Sequence, residues 1–132
     1  MEVPALIRIA PLLVIAAIFL AACGGESVSP EELTPGPATT DLHLIAKGMK
    51  FDSKALAAPA NTMVSLTFSN NDGGVLHNVA IYKDRSAREK IFASELISGK
   101  KVETYEFRTP GPGQYYFRCD AHPDMNGTLF VQ

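Results

Sequence analysis

The sequence predicts an all-β sandwich over residues 41–132, with at most one short helix. Three observations carry this expectation. Short runs alternate apolar and polar residues at period two. Clusters of Asn, Asp, Gly and Pro punctuate those runs. The chain has 132 residues, enough for one domain and not two.

The elements follow in order. Leu42, Leu44 and Ala46 alternate and share one face. His43 is out of phase with them and is expected to face solvent, with no metal role. Val64, Leu66 and Phe68 alternate with Ser65 and Thr67, and the turn Asn70-Asn71-Asp72-Gly73-Gly74 follows at once. A strand is expected over Leu76 to Tyr82, with His77, Val79 and Ile81 on one face. Ser86 to Leu96 does not alternate. Ser86 and Glu89 have capping-box spacing, and Ile91, Phe92 and Leu96 could form a small apolar face, so the one short helix is expected there. Val102 to Phe107 reads as a strand with Tyr105 and Phe107 inward. Pro110-Gly111-Pro112-Gly113 breaks it. Tyr115, Phe117 and Cys119 then share a face at period two, and Gly127 to Val131 closes the chain.

What precedes residue 41 reads differently. Ile9 to Ala22 is a run of 14 residues without charge, short for a membrane span, which needs roughly 17–25 apolar residues. It fits the apolar core of a secretory signal over residues 1–22, with Arg8 as its positive flank. The run ends Leu20-Ala21-Ala22-Cys23-Gly24, which resembles a bacterial lipobox. That resemblance implies lipidation of Cys23 and a membrane anchor. An ordinary signal cut after Ala22, or an uncleaved anchor, are the alternatives, and each exports the domain. Gly24 to Thr40 is rich in Gly, Pro, Ser, Thr and Glu, and almost without large apolar side chains. It cannot bury enough surface to offset its ordering entropy. Residues 23–40 are therefore expected to be the lipidated cysteine and a flexible tether. Its mean span is on the order of 20–25 Å, and its full reach is roughly 55 Å.

Charge excludes some functions. Lys plus Arg is 12 and Asp plus Glu is 14, a formal net charge of −2. A nucleic-acid binder needs a basic surplus. Residues 41–132 carry 11 basic and 10 acidic side chains, too balanced for strong electrostatic steering. Lys83, Arg85, Arg88 and Lys90 could still form a local patch.

The chemistry gathers in Tyr116-Phe117-Arg118-Cys119-Asp120-Ala121-His122-Pro123-Asp124-Met125. Cys119, His122 and Met125 place a thiolate, an imidazole and a thioether within seven residues. Soft sulfurs hold Cu(I) and imidazole holds Cu(II). A second imidazole must come from elsewhere, and His77, near a strand start, is its natural source. Taken singly, a Cys or a Met is more often core filling, and a His more often an ordinary polar residue. Met49 and Met63 are read that way. Zinc competes for one Cys and two His, and Met125 tips the choice to copper. If Cys23 is lipidated or removed, Cys119 has no disulfide partner in an oxidising compartment, where a bare thiol is a liability.

These motifs resemble the cupredoxins, the family of plastocyanin, pseudoazurin and amicyanin. Lys50-Phe51-Asp52, the Pro59 to Val64 turn and strand, Asn70 to Val79, and Gly113 to Cys119 all look like parts of that family. The Cys119 to Met125 loop has the short amicyanin-like spacing. The resemblance implies a Greek-key β-sandwich with one type 1 copper. It makes His77, Cys119 and His122 the equatorial ligands and Met125 the axial one. Asn78 matches a family asparagine beside the first ligand histidine that ties the two ligand loops together. Asn61 stands where the family often has Gly, a change that a left-handed turn position tolerates. Asp120 replaces the usual Ser or Thr after the cysteine, and its carboxylate favours Cu(II).

The expected function is a membrane-tethered one-electron carrier, a monomer on the outer face of a cell membrane. Donor and acceptor proteins would dock near an exposed edge of His122, ringed by Ala121, Pro123 and the Pro110 to Gly113 turn. Copper handling is the alternative, but it calls for exposed, flexible Met- or His-rich ligands. An enzyme with a second copper centre needs more than the three histidines present. A purely structural domain is the remaining reading.

Overall fold

The structure is a computed structural model and describes residues 33–132. The expected signal segment, Cys23 and the tether as far as residue 32 lie outside the described residues. Residues 33–39 carry no regular secondary structure and are mostly exposed. The Thr39 amide donates to the Ala57 carbonyl at 3.1 Å, where the chain first joins the sheets.

Ten strands and, among the described residues, no helix make up the fold. One sheet has three strands: β1 (Asp41–Ala46), β3 (Met63–Asn70) and β8 (Lys101–Arg108), in the order β1-β3-β8. The second has five: β2 (Ala55–Ala58), β5 (Ala80–Tyr82), β6 (Lys90–Ala93), β9 (Gly113–Arg118) and β10 (Asn126–Val131). Its order is β2-β10-β9-β5-β6. A small ladder pairs β4 (Leu76–His77) with β7 (Ile97–Ser98). β1 runs parallel to β3 and β2 parallel to β10, and the other pairs are antiparallel.

Alternation along the strands explains the two layers. Leu42, Leu44 and Ala46 of β1 and Val64, Leu66 and Phe68 of β3 are buried, while their neighbours are exposed or half-buried. They meet Leu56, Ile81, Phe117, Leu129 and Val131 of the five-stranded sheet in one core. His43 is exposed, as its phase predicts. Gly127 stands opposite Phe117 across β9 and β10. Any side chain there would collide with that ring and with the Lys54 carbonyl.

Two expectations are corrected. No helix forms between Ser86 and Leu96. Asp84 instead accepts the Ser86 amide at 2.8 Å, and the Ala87 amide closes a turn onto the Asp84 carbonyl at 3.2 Å. Ala87 then takes a positive φ of 54°, which no right-handed helix accommodates. Lys90–Ala93 leaves the turn as a strand paired with β5. The expected strand over Leu76 to Tyr82 is also broken, at Asn78 and Val79. There the Val79 amide donates to Ser94 Oγ at 3.0 Å, and the chain passes from β7 to β6 and β9 as partners.

Asn61 has φ of 52°, the left-handed conformation expected at that position. The Lys47–Lys50 turn is a two-residue hairpin closed by two backbone hydrogen bonds of 2.9 and 3.2 Å. Its central residues, Gly48 and Met49, both have φ of 60°, as a type I′ turn requires.

Candidate metal centre

β9 delivers Cys119 to one end of the sandwich, and β10 leaves from that same end. Between them, Cys119 to Met125 folds into a tight loop. The Cys119 amide donates to the Met125 carbonyl at 2.9 Å, and the Met125 amide donates to the His122 carbonyl at 2.9 Å. The His122 amide reaches the Cys119 carbonyl at 3.3 Å. The Asn126 side chain fastens the outside of the loop through the Pro123 and Asp124 carbonyls.

His77 arrives from the other ligand strand, at the end of β4. Asn70, fully buried, sets its approach. The Asn70 amide group donates to the Val75 and Ile97 carbonyls at 2.8 and 2.7 Å, and its oxygen accepts the Asp72 amide at 2.9 Å. Every hydrogen-bonding need of that side chain is met within one turn and its neighbour, so the 70–75 turn is rigid.

Three of the four sequence-predicted residues, His77, Cys119 and His122, converge, and Met125 closes the same loop through its backbone. Cys119 and His77 are fully buried, Met125 is 3% exposed and His122 is half-buried. Cys119 Sγ lies 3.7 Å from Nδ1 of His77 and 3.7 Å from Nδ1 of His122, and the two nitrogens are 3.2 Å apart. A triangle with those sides has a circumradius of about 2 Å, the length of a metal–imidazole bond. The donor set fits a first-row metal: one thiolate and two imidazole nitrogens aimed at a common point. The rings of His77 and His122 stand nearly edge to face, 4.9 Å apart at 66°.

Around the donors lies a second layer of polar contacts. The Asp120 amide donates to Asn78 Oδ1 at 2.7 Å, and Asn78 Nδ2 reaches Asp120 Oδ2 at 3.4 Å. The Asp120 residue thus meets Asn78 through both its backbone amide and its carboxylate. Its other oxygen accepts from the Tyr82 hydroxyl at 2.7 Å and from Arg118 Nε at 3.0 Å. Burial pushes the Asp120 carboxyl up, but hydrogen bonds from Tyr82, Arg118 and Asn78 outweigh it, so its pKa lies below the ordinary value.

Sequence reasoning missed Asp72, which it read only as a turn residue. Its carboxylate accepts from Nε2 of His77 at 2.9 Å. The backbone amides of Met49 and Gly48, followed by the His77 ring, hold its pKa down to about 2. The one available signal was an acidic residue five positions before a candidate ligand.

The Pro110 to Gly113 turn does not border His122, contrary to expectation. It precedes β9 and Cys119 follows it, so the two are separated by the strand's length, about 20 Å. The turn packs instead with the 59–62 turn, where the Asn61 amide donates to the Pro110 carbonyl at 3.0 Å. Ala121 and Pro123, on either side of His122, are exposed, and so are Met49, whose amide binds Asp72 behind His77, Leu76, which precedes His77, and Leu96, which precedes its strand partner Ile97.

A family model described as a cupredoxin-like domain matches residues 12–131, and the chain belongs to that family. Among solved structures it is similar to the dithionite-reduced auracyanin of the photosynthetic bacterium Roseiflexus castenholzii. The TM-score is 0.67 at 23% identity, over 73% of this chain and 99% of that one. It is also similar to auracyanin A, a blue copper protein of Chloroflexus aurantiacus, with a TM-score of 0.61 at 23% identity, over 75% and 100% of the two chains. A mutant amicyanin in its reduced Cu(I) form aligns with a TM-score of 0.53 at 19% identity, over 73% of this chain and 86% of that one. At these identities the likeness shows the fold. No curated protein sequence matches the chain significantly. Within the fold, His77, Cys119 and His122 with Met125 form the arrangement of a type 1 copper site.

Proposed function

We propose that this chain is a type 1 blue copper protein that carries single electrons between redox partners outside the cytoplasm. The observation that carries the reading is the convergence of Cys119 Sγ with the Nδ1 atoms of His77 and His122. Those three residues, with Met125 from the loop of Cys119 and His122, would hold the copper. Copper bound there supplies a one-electron couple between Cu(II) and Cu(I).

The chain's own contribution is rigidity. Cys119 and His77 are buried, the Cys119 to Met125 loop is closed by its own backbone hydrogen bonds, and Asn78 ties it to the His77 segment. Donors held this way keep their places when the metal changes charge, which favours electron transfer over copper exchange. The half-buried His122 ring is the exit, flanked by exposed Ala121 and Pro123. A small apolar surface docks weakly and releases its partner after each electron.

The N-terminal reading completes the proposal. Residues 1–22 export the chain, a lipid on Cys23 holds it to the outer face of the membrane, and the rest of residues 23–40 tethers the domain. Membrane fractionation of the wild type and of Cys23→Ser tests the anchor: the wild type stays with membranes, and the variant loses lipoprotein processing. A variant processed and retained as before contradicts it. Repeated chemical reduction and re-oxidation of the copper-loaded protein tests the carrier role. Metal retained through every cycle supports it, and copper released on reduction assigns the chain to copper handling instead.

A further inference from the structure

We propose that Asp72 is a positioning residue for the metal ligand His77, holding its ring by an anchored carboxylate that the Lys47–Lys50 turn locks in place. The inference rests on the copper reading above and adds to it a residue outside the ligand set.

The contact begins with His77. Its side chain is fully buried, and its two ring nitrogens face different partners. Nδ1 points to Cys119 Sγ and His122 Nδ1, and Nε2 points to Asp72 Oδ2 at 2.9 Å. An ionised carboxylate only accepts hydrogen bonds, so Nε2 carries the proton. That choice of tautomer leaves the Nδ1 lone pair free toward the cluster. The same contact fixes the rotation of the ring about its own axis.

A carboxylate positions another group only if it cannot swing itself. Asp72 is held at three points. Oδ1 accepts the Gly48 amide at 2.6 Å, and Oδ2 accepts the Met49 amide at 3.0 Å together with the His77 ring. Its own backbone amide is bound by Asn70 Oδ1 at 2.9 Å. Successive left-handed residues, Gly48 and Met49, turn both amides toward one anion. The left-handed region is uncommon for a residue with a side chain, so Met49 holds that conformation against its intrinsic preference. The type I′ turn sets that conformation, and the Met49 amide it turns outward is bound by Asp72.

Carboxylates behind a metal-bound histidine orient the ring and raise its basicity. Losing such a partner typically costs roughly 10–100-fold in metal affinity. The added negative charge favours Cu(II) over Cu(I). If the loss falls on Cu(II) alone, each tenfold raises the reduction potential by about 59 mV.

The test uses the full chain at pH 7, metal-free and copper-loaded, as wild type, Asp72→Asn and Asp72→Ala. Long-range nitrogen-15 correlations on the metal-free wild type are expected to place the His77 proton on Nε2 alone. In folded variants, with the sheet amide resonances retained, both tautomers should appear. Cu(II) affinity should fall roughly 10–100-fold, and the potential should rise. A merely structural role would lower the melting temperature and leave tautomer and potential unmoved. The proposal is overturned by a wild-type His77 that carries its proton on Nδ1, an outcome that needs no variant to fold. It is equally overturned by a folded variant with the wild-type tautomer and unchanged Cu(II) affinity. A wild type that fails to turn blue with copper overturns the copper reading instead, and the tautomer measurement still decides the Asp72 contact.

Discussion

Asn78 and Asp120 clasp each other through the side-chain oxygen of one and the backbone amide of the other, at 2.7 Å. Asn78 follows His77 and Asp120 follows Cys119, so the clasp joins the two strands that carry the buried donors. Replacing Asn78 with Ala leaves the Asp120 amide without that partner. The expected loss is about 1–3 kcal/mol of stability, read by urea unfolding of the metal-free protein. Broadening of the copper-loaded optical spectrum should accompany it. An unchanged unfolding midpoint would mean the clasp stabilises nothing.

Met125 is buried at the site's end of β10. As a weak donor, its thioether favours Cu(II) slightly more than no donor at all, and an amide oxygen in its place favours Cu(II) more strongly. Met125→Leu is expected to keep the blue colour and raise the reduction potential, and Met125→Gln to lower it. Voltammetry of the two variants decides the matter. Potentials equal to the wild type would remove Met125 from the ligand set.

Tyr82 should titrate late. Burial raises its pKa above the ordinary 10.0, and its hydrogen bond to the ionised Asp120 adds to the rise. Because the folded-state pKa lies above the unfolded one, the stabilisation is fully present below about pH 10. It is lost as pH rises through the folded value. An absorbance titration of the folded protein should show Tyr82 ionising above that pH, and Tyr82→Phe should remove this step. Tyr105, also raised chiefly by burial, remains. A titration identical in the two proteins would refute the assignment.

Ala121 is exposed beside the half-buried His122. Ala121→Lys is expected to slow electron transfer to the physiological acceptor, leaving the spectrum and potential little changed. Stopped-flow kinetics with that acceptor checks it. Equal rates would move the exit elsewhere on the surface.

The ligand set could be read from the chain because its information is local. Cys119, His122 and Met125 lie within seven residues, and period two put His77 on a buried face. Alternation likewise marked β1, β3, β8, β9 and β10. Lys90–Ala93 was illegible for the opposite reason: its strand state comes from pairing with Ala80–Tyr82, whereas Ser86 and Glu89 mimic a helix start. Asp72 was hidden too, since the Gly48 and Met49 amides that anchor it lie more than 20 residues away in sequence. The placing of the Pro110 to Gly113 turn beside His122 failed on direction. It stands at the start of the strand that Cys119 follows.

The most direct measurement is the absorption spectrum of the oxidised, copper-loaded chain, taken beside Cys119→Ser. The account predicts one copper per chain and an intense blue charge-transfer band that the serine variant loses while its sheets stay folded. A colourless wild type with copper bound, or a Cys119→Ser protein that remains blue, would contradict it.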